Sequence, residues 1–166
     1  MISFKSATEN DLPVIADIAR KTWPSAYSEI LSPGQLEYML ELMYSLTSLT
    51  HQLVDLRHTF IIALEGNIPI GFASFSQKEL NSDSYRLHKI YLLPEQQGIG
   101  TGKFLLDSVI NSIKSAGGAS LELNVNRHNK ARHFYEKSGF KIIGHEDIAI
   151  GKGYFMNDFV MRLRPL

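Results

Sequence analysis

Cysteine is absent from the 166 residues. That excludes disulfides, thiolate nucleophiles and thiolate metal sites together. There is no surplus of charge: 17 Lys and Arg stand against 17 Asp and Glu, so no net field draws the chain to nucleic acid or to an anionic membrane. No apolar run approaches the roughly 20 residues of a membrane-spanning helix. The opening "MISFKSATEND" lacks the basic and apolar segments of a signal peptide. Linkers, low-complexity tracts and internal repeats are also missing. The expectation is a single soluble, cytoplasmic domain over residues 1–166, with no nucleic-acid and no membrane partner.

What is present fits a packed core, with 44% apolar and 20% charged residues. Ile2–Ala7 reads as a strand, and Thr8 with Asp11 makes a reciprocal helix cap. Leu12, Ile15, Ala16, Ala19 and Trp23 then share one helical face. Ser32-Pro33 opens a second helix, with Leu36, Met39, Leu40 and Met43 as its stripe. A further helical stretch carries Leu46, Leu49, Leu53 and Leu56. Thr59–Leu64 and Ile68–Phe75 flank Gly66-Asn67 as a hairpin, and Pro69 marks a strand start or edge. Tyr85–Leu93 is a longer strand, stopped by Pro94. Leu105, Leu106, Val109, Ile110 and Ile113 stripe a helix that Gly117-Gly118 ends. Ser120–Val125 is a strand. A short helix follows with Ala131, Phe134 and Tyr135 inward, and two strands close the chain. Hairpins followed by a β-α-β unit require a mixed sheet.

Between the strand ending at Leu93 and the next helix lies "LLPEQQGIGTGKFLL", with Gly98, Gly100 and Gly102 at alternate positions. A strand, a glycine loop and a helix N-terminus form an anion site, because the first helical amides lack partners and glycine lets a ligand approach the backbone. The ligand class is phosphate or pyrophosphate. The dinucleotide fingerprint G-x-G-x-x-G fails at its third glycine. A Walker loop fails as well: Gly98 and Gly102 enclose three residues, and Phe104 stands where a hydroxyl would hold magnesium.

Gln97-Gly98-Ile99-Gly100-Thr101-Gly102 instead resembles the Arg/Gln-x-x-Gly-x-Gly/Ala pyrophosphate loop of the GCN5-related N-acetyltransferase (GNAT) superfamily. "NRHNKARHFYEKSGF" looks like that superfamily's second signature, through Asn129, Ala131, Phe134, Tyr135, Gly139 and Phe140. The two stand in the family's order, one helix and one strand apart, and the element order agrees along nearly the whole chain. Thr22–Leu40 and Gly151–Met161 are similar to the corresponding stretches of PaiA-type polyamine acetyltransferases. The resemblance implies an α/β GNAT fold: a central mixed, mostly antiparallel sheet with a splayed parallel strand pair and helices on both faces.

It also implies the chemistry. Acetyl-CoA is the expected cosubstrate, without a metal, and the acceptor is a primary amine of a small molecule, with a polyamine such as spermidine as the first guess. The pantetheine arm would lie between Tyr85–Leu93 and Ser120–Val125, paired with the backbone of Ile90, Tyr91 and Leu92. Backbone amides over Gln97, Gly98, Ile99, Gly100, Thr101, Gly102 and Lys103 would hold the pyrophosphate. Direct attack of an amine on a thioester needs a neutral amine, a proton acceptor, a donor for the oxyanion and a proton for the leaving thiolate. The Leu92 amide is the expected oxyanion donor. Tyr135 is the expected acid, since tyrosine is protonated at neutral pH.

The base is less defined. His88 lies on the central strand with the parity of Ile90 and Leu92, and it titrates near neutrality; a histidine packed on the sheet serves the sequence equally well. Asn124 occupies the place where some relatives carry a carboxylate, so a water relayed to a carboxylate elsewhere is an alternative. Asn129 suits a helix cap, and in the family also touches the cofactor. Lys103 and Lys137 could reach phosphate oxygens, although solvated lysines are the plainer reading. His128 and His133 are off a common helical face, so no metal is expected. Glu37 and Glu41 share a face and read as solvated. Two alternatives stay open: acetylation of a protein or peptide amine, and an acyl-CoA sensor without turnover. Family members often dimerise, and the closing strands are the expected interface for a homodimer.

Overall fold

A computed structural model describes all 166 residues. One seven-stranded sheet organises the molecule, in the order β1-β2-β3-β4-β5-β7-β6. Its strands are β1 (Ile2–Ser6), β2 (Thr59–Glu65), β3 (Ile68–Gln77), β4 (Ser84–Leu92), β5 (Ser120–Asn126), β6 (Lys141–Gly151) and β7 (Tyr154–Leu163). Only β4 and β5 run parallel; every other neighbouring pair is antiparallel. Helices cover both faces: α1 (Leu12–Tyr27), α2 (Pro33–Tyr44) and α3 (Leu46–Thr50) on one, α4 (Thr101–Ser115) and α5 (Ala131–Lys137) on the other.

The period-2 pattern of the central strands splits the core in two. Phe60, Ile62 and Phe72 pack with Leu12, Ile15, Trp23, Leu40 and Leu49. Ile61, Ala63 and Ala73 pack on the opposite face with Leu105, Leu106, Val109 and Ile113. Each Leu, Ile, Val or Phe among them taken fully out of water contributes about 1.5–3 kcal/mol of transfer free energy. The inner strands are therefore held from both sides, and whatever lies at their splay is held rigidly.

Local chemistry sets the helix starts. The Ser32 hydroxyl accepts from the Gln35 amide at 3.1 Å with Pro33 following. Asp11 accepts from the Thr8 amide at 2.8 Å, but over a 3-10 turn (Glu9–Asp11) that precedes α1. The third stretch differs from its expected stripe. It is α-helical only to Thr50 and then widens into a π-turn over His51–Asp55, closed by the Leu56 amide on the His51 carbonyl at 3.0 Å. The wider turn shifts the inward face beyond Thr50, so Leu56 points outward and Gln52 points in; Leu46, ahead of that turn in α3, is exposed as well.

The feature that positions the site is the divergence of β4 from β5. Their ladder runs only from Ser84/Ser120 to Leu87/Leu123. β4 continues to Leu92 and β5 to Asn126 without pairing, which opens a wedge in mid-sheet with free backbone on both lips.

Candidate active site

On the β4 lip, hydrogen-bond parity decides which backbone groups face the wedge. Antiparallel ladders alternate between bonded and non-bonded pairs. The Leu93 amide donates to Ile70 across the β3 ladder at 2.9 Å, and Tyr91 pairs with Phe72 in the same register. Leu93 and Tyr91 thus spend their backbone on β3, while Ile90 and Leu92 turn N–H and C=O toward the wedge. Of the three residues expected to pair with pantetheine, Tyr91 offers its side chain instead of its backbone. The Leu92 carbonyl already accepts from Gln97 Nε2 at 3.2 Å, so its N–H is the open donor there. Gly71 lets Leu92 sit so close: a Cβ at Gly71 would lie 2.5 Å from Leu92 Cδ2 and 2.6 Å from the Tyr91 carbonyl oxygen.

Just beyond the lip, a short 3-10 turn (Pro94–Gln96) leads into the glycine loop and α4. Gly98 and Gly100 adopt φ of +77° and +91°, and nothing lies within 4 Å of where their Cβ atoms would stand. Only glycine takes this path freely, and the space beside it is open. The first turn of α4 contains no acidic side chain, so its unpartnered amides keep their positive field. The loop therefore fits a pyrophosphate. Thr101 is buried, with its hydroxyl turned to Gln96 Oε1 at 3.4 Å, which leaves its backbone for a ligand. A Cβ at Gly102 would lie 3.5 Å from the Phe134 ring and 3.6 Å from Leu92 Cδ1. Ile99 is exposed. Lys103 pairs with Asp107 at 2.8 Å on the surface, and Lys137 is exposed on α5. Asn129 accepts from the Ala131 amide at 2.9 Å, the capping contact expected of it.

Tyr135 is buried in the α4–α5 core between Phe134 and Phe140. Burial, with the nearby Tyr27 phenol, pushes its phenol well above the ordinary tyrosine range. It is fully protonated at neutral pH and able to donate. Tyr27 and Tyr91 meet hydroxyl to hydroxyl at 2.9 Å.

His88 does not keep the parity of Ile90 and Leu92. The β3–β4 register shifts between Ser74 and Phe75: Ser74 pairs with Lys89 and Phe75 with Leu87. His88 is the extra residue of this bulge and turns to the same face as Lys89. Its ring stacks on His58 at 3.8 Å, and its Nε2 lies 2.7 Å from Ser76 Oγ. Burial and the neighbouring His58 and Lys89 charges lower its pKa to about 3. It is neutral at physiological pH, but it is a weak proton acceptor.

Beneath α1 and α2 the wedge opens into a cavity of about 250 Å³, roofed by the β6–β7 hairpin. Trp23, Tyr27, Tyr44 and Tyr91 form an aromatic wall, and Met39, Met43, Phe155 and Met156 extend it. The hairpin is clasped to α2: Gln35 Nε2 donates to the Phe155 carbonyl at 2.8 Å, and the Tyr38 hydroxyl to the Ile150 carbonyl at 2.6 Å.

Three charged cavity residues, Arg86, Lys89 and Asp158, escaped sequence reasoning. Lys89 is buried, donates to Gln52 Oε1 at 2.6 Å and lies over the Tyr44 and Phe60 rings. Burial lowers its pKa to about 8. The signal was a lysine inside an apolar central strand, "RLHKIYLL". Asp158 on β7 is buried at 3% exposure and is the only carboxylate in the cavity lining. Its signal was an acid between apolar residues in "MNDFVM". Glu37 and Glu41 lie outside, paired with Arg20 at 3.6 and 3.3 Å.

Comparison with known proteins agrees with this geometry. Residues 28–155 match the family model described as an acetyltransferase (GNAT) domain. The spermidine N(1)-acetyltransferase of Thermoplasma acidophilum is 28% identical over 146 residues, covering 85% of this chain and 89% of that one. The [ribosomal protein bS18]-alanine N-acetyltransferase of Haemophilus influenzae is 38% identical over 99 residues, covering 60% and 62%. The crystal structure of the PaiA N-acetyltransferase of Thermoplasma acidophilum with coenzyme A superposes with a TM-score of 0.82 at 27% identity, covering 99% of both chains.

Proposed function

This chain belongs to the GNAT acetyltransferase family and is an acetyl-CoA-dependent N-acetyltransferase; from that premise we propose that its acceptor is a primary amine of a small molecule, with a linear polyamine such as spermidine as the leading class. One observation carries the proposal. The cavity beside the open Leu92 edge is walled by aromatic rings and holds a single carboxylate, Asp158; the Lys89 and Arg86 side chains that also line it are already engaged with Gln52 and Asn124. Aromatic faces and a lone buried acid attract a cation, and an unprotonated amine is the nucleophile that the reaction needs. The cavity volume is about 250 Å³. That suits one slender amine chain better than a bulky one. The likeness to a spermidine acetyltransferase and to a PaiA structure supports the same class.

Acetyl-CoA supplies the activated acyl group as a thioester. The chain's part is to hold and polarise it. The glycine-loop amides from Gln97 to Lys103 hold the pyrophosphate, the Ile90 backbone aligns the pantetheine, and the Leu92 N–H donates to the carbonyl oxygen as charge develops there. Tyr135 donates the proton that the departing sulfur needs.

A second reading is acetylation of a protein or peptide amine, the class to which the name of the [ribosomal protein bS18]-alanine N-acetyltransferase assigns that protein. Release of free CoA from acetyl-CoA separates the two. Spermidine, spermine, diamines, amino acids and peptides with free N-termini are assayed side by side. Turnover confined to polyamines and diamines is the expected result. Turnover confined to peptides transfers the proposal to the second reading, and tight acetyl-CoA binding with no turnover sinks both.

A further inference from the structure

We propose that Asp158 anchors the acceptor's ammonium group and takes its first proton. This inference rests on the amine-acceptor reading above.

Asp158 sits where β7 pairs with Asn126 of β5 on one side and with Glu146 of β6 on the other. It lies on the sheet face that the cavity occupies, beside the far lip of the wedge. Its Oδ2 accepts from Asn124 Nδ2 at 3.3 Å. Its Oδ1 has no hydrogen-bond partner in the chain, yet is not sealed from solvent, so it opens on the cavity. No cation pairs with it. The Arg86 guanidinium is engaged with Asn124 Oδ1. Arg127 pairs with Asp147 at 2.8 Å and donates to the Glu146 carbonyl at 3.3 Å. Lys89 donates to Gln52. A buried carboxylate without a counter-ion is costly, and Asp158 lines the cavity beside the wedge, onto which its open oxygen faces. The missing partner is a cation entering that space.

The groups facing Asp158 set its proton affinity. Burial raises its pKa, and the Glu146 charge adds to that; the Asn124 hydrogen bond and the Arg127 and Arg86 charges oppose them. Tyr27 faces it from α1 and feels its charge. A carboxylate made more basic is better matched to accept a proton near neutral pH. His88, held by Ser76 and His58, has no comparable affinity.

The step balances. One proton passes from R–NH3+ to the Asp158 carboxylate. The freed lone pair forms the N–C bond at the thioester carbonyl, whose oxygen takes the π electrons. When the C=O reforms, the C–S bond breaks and its electrons leave on sulfur. Sulfur takes a proton from the Tyr135 hydroxyl, and the second proton shed by nitrogen restores that tyrosine. Asp158 returns its proton to solvent. The products are R–NH–acetyl, CoA–SH and one H+.

The test compares the wild type with Asp158→Asn, measuring acetyl-CoA binding and kcat/KM for one amine between pH 6 and 10. Binding of acetyl-CoA is expected to be unchanged. At pH 7, kcat/KM is expected to fall about a hundredfold, the usual size of a lost acid–base group, and to climb with pH as the free amine accumulates. A variant within threefold of the wild type, with the same profile, overturns the assignment while leaving the N-acetyltransferase reading intact. A wild type that binds acetyl-CoA but releases no CoA with any amine overturns both. Should Asp158→Asn fail to bind acetyl-CoA, the wild type alone decides. With amines of graded pKa, an acidic limb whose midpoint is independent of the amine supports an enzymic base, and a midpoint that tracks the amine overturns it.

Discussion

The side-chain amide of Asn124 donates to Asp158 at 3.3 Å while its carbonyl accepts from Arg86. One neutral residue thus bridges a buried carboxylate and the guanidinium of Arg86 in the paired part of β4. Replacing it separates orientation from charge. In Asn124→Ala the carboxylate loses the hydrogen bond that lowers its pKa. The acidic limb of the kcat/KM profile is expected to move to higher pH, and activity at pH 7 to fall about tenfold. An unmoved limb would show that Asn124 does not act through Asp158.

Tyr135→Phe removes only a hydroxyl from a packed ring. The thermal transition and acetyl-CoA affinity are expected to stay close to wild type. Turnover at saturating acetyl-CoA is expected to drop about a hundredfold, within the range for general acids. Retained kcat would return Tyr135 to a purely structural role.

Gly100→Ala tests the loop separately from the chemistry. The site has room for a methyl group but holds φ at +91°, a conformation that costs an L-residue about 1–2 kcal/mol. Relaxing that strain turns the amides away from the pyrophosphate. KM for acetyl-CoA is expected to rise about tenfold with kcat little changed, as steady-state kinetics at varied acetyl-CoA will show.

Lys89→Met addresses stability. The lysine pKa falls from 10.5 to about 8 on folding. Between those values the unfolded chain carries a proton that the folded chain lacks, so wild-type stability rises with pH across that window. Below about pH 8 the cost of charging a buried amine is present in full. Methionine fills the same channel and removes a cost on the order of 3 kcal/mol, at 1.36 kcal/mol per unit of pKa. Urea melts at pH 7 and pH 10 are expected to show a more stable variant at pH 7 and a smaller gain at pH 10. An equal gain at both would mean that folding does not lower the Lys89 pKa.

Much of this was legible from residues alone. Caps at Thr8 and Ser32, the Gly66-Asn67 hairpin, the α4 stripe and the glycine loop are local devices, and each lies where its own sequence places it. The misses share one cause. The π-turn that brings Gln52 inward and the bulge that turns His88 away from Ile90 are single-residue changes of phase. Helical and strand periods are read by counting, and a count carries on through such a shift as if nothing had happened.

The sequence by itself determined that a pyrophosphate-binding loop joins a strand to a helix, and that a second motif brings Tyr135, because both depend on a few consecutive residues with fixed backbone chemistry. It also determined the mixed sheet, through hairpins followed by a β-α-β unit. Only the tertiary structure decided that Asp158 and Lys89 line one cavity. That follows from which strands neighbour one another and in what register, with β7 set between β5 and β6. Such pairings join residues tens of positions apart by the packing of whole faces, and packing, unlike a cap or a turn, leaves no mark on any short stretch of the chain.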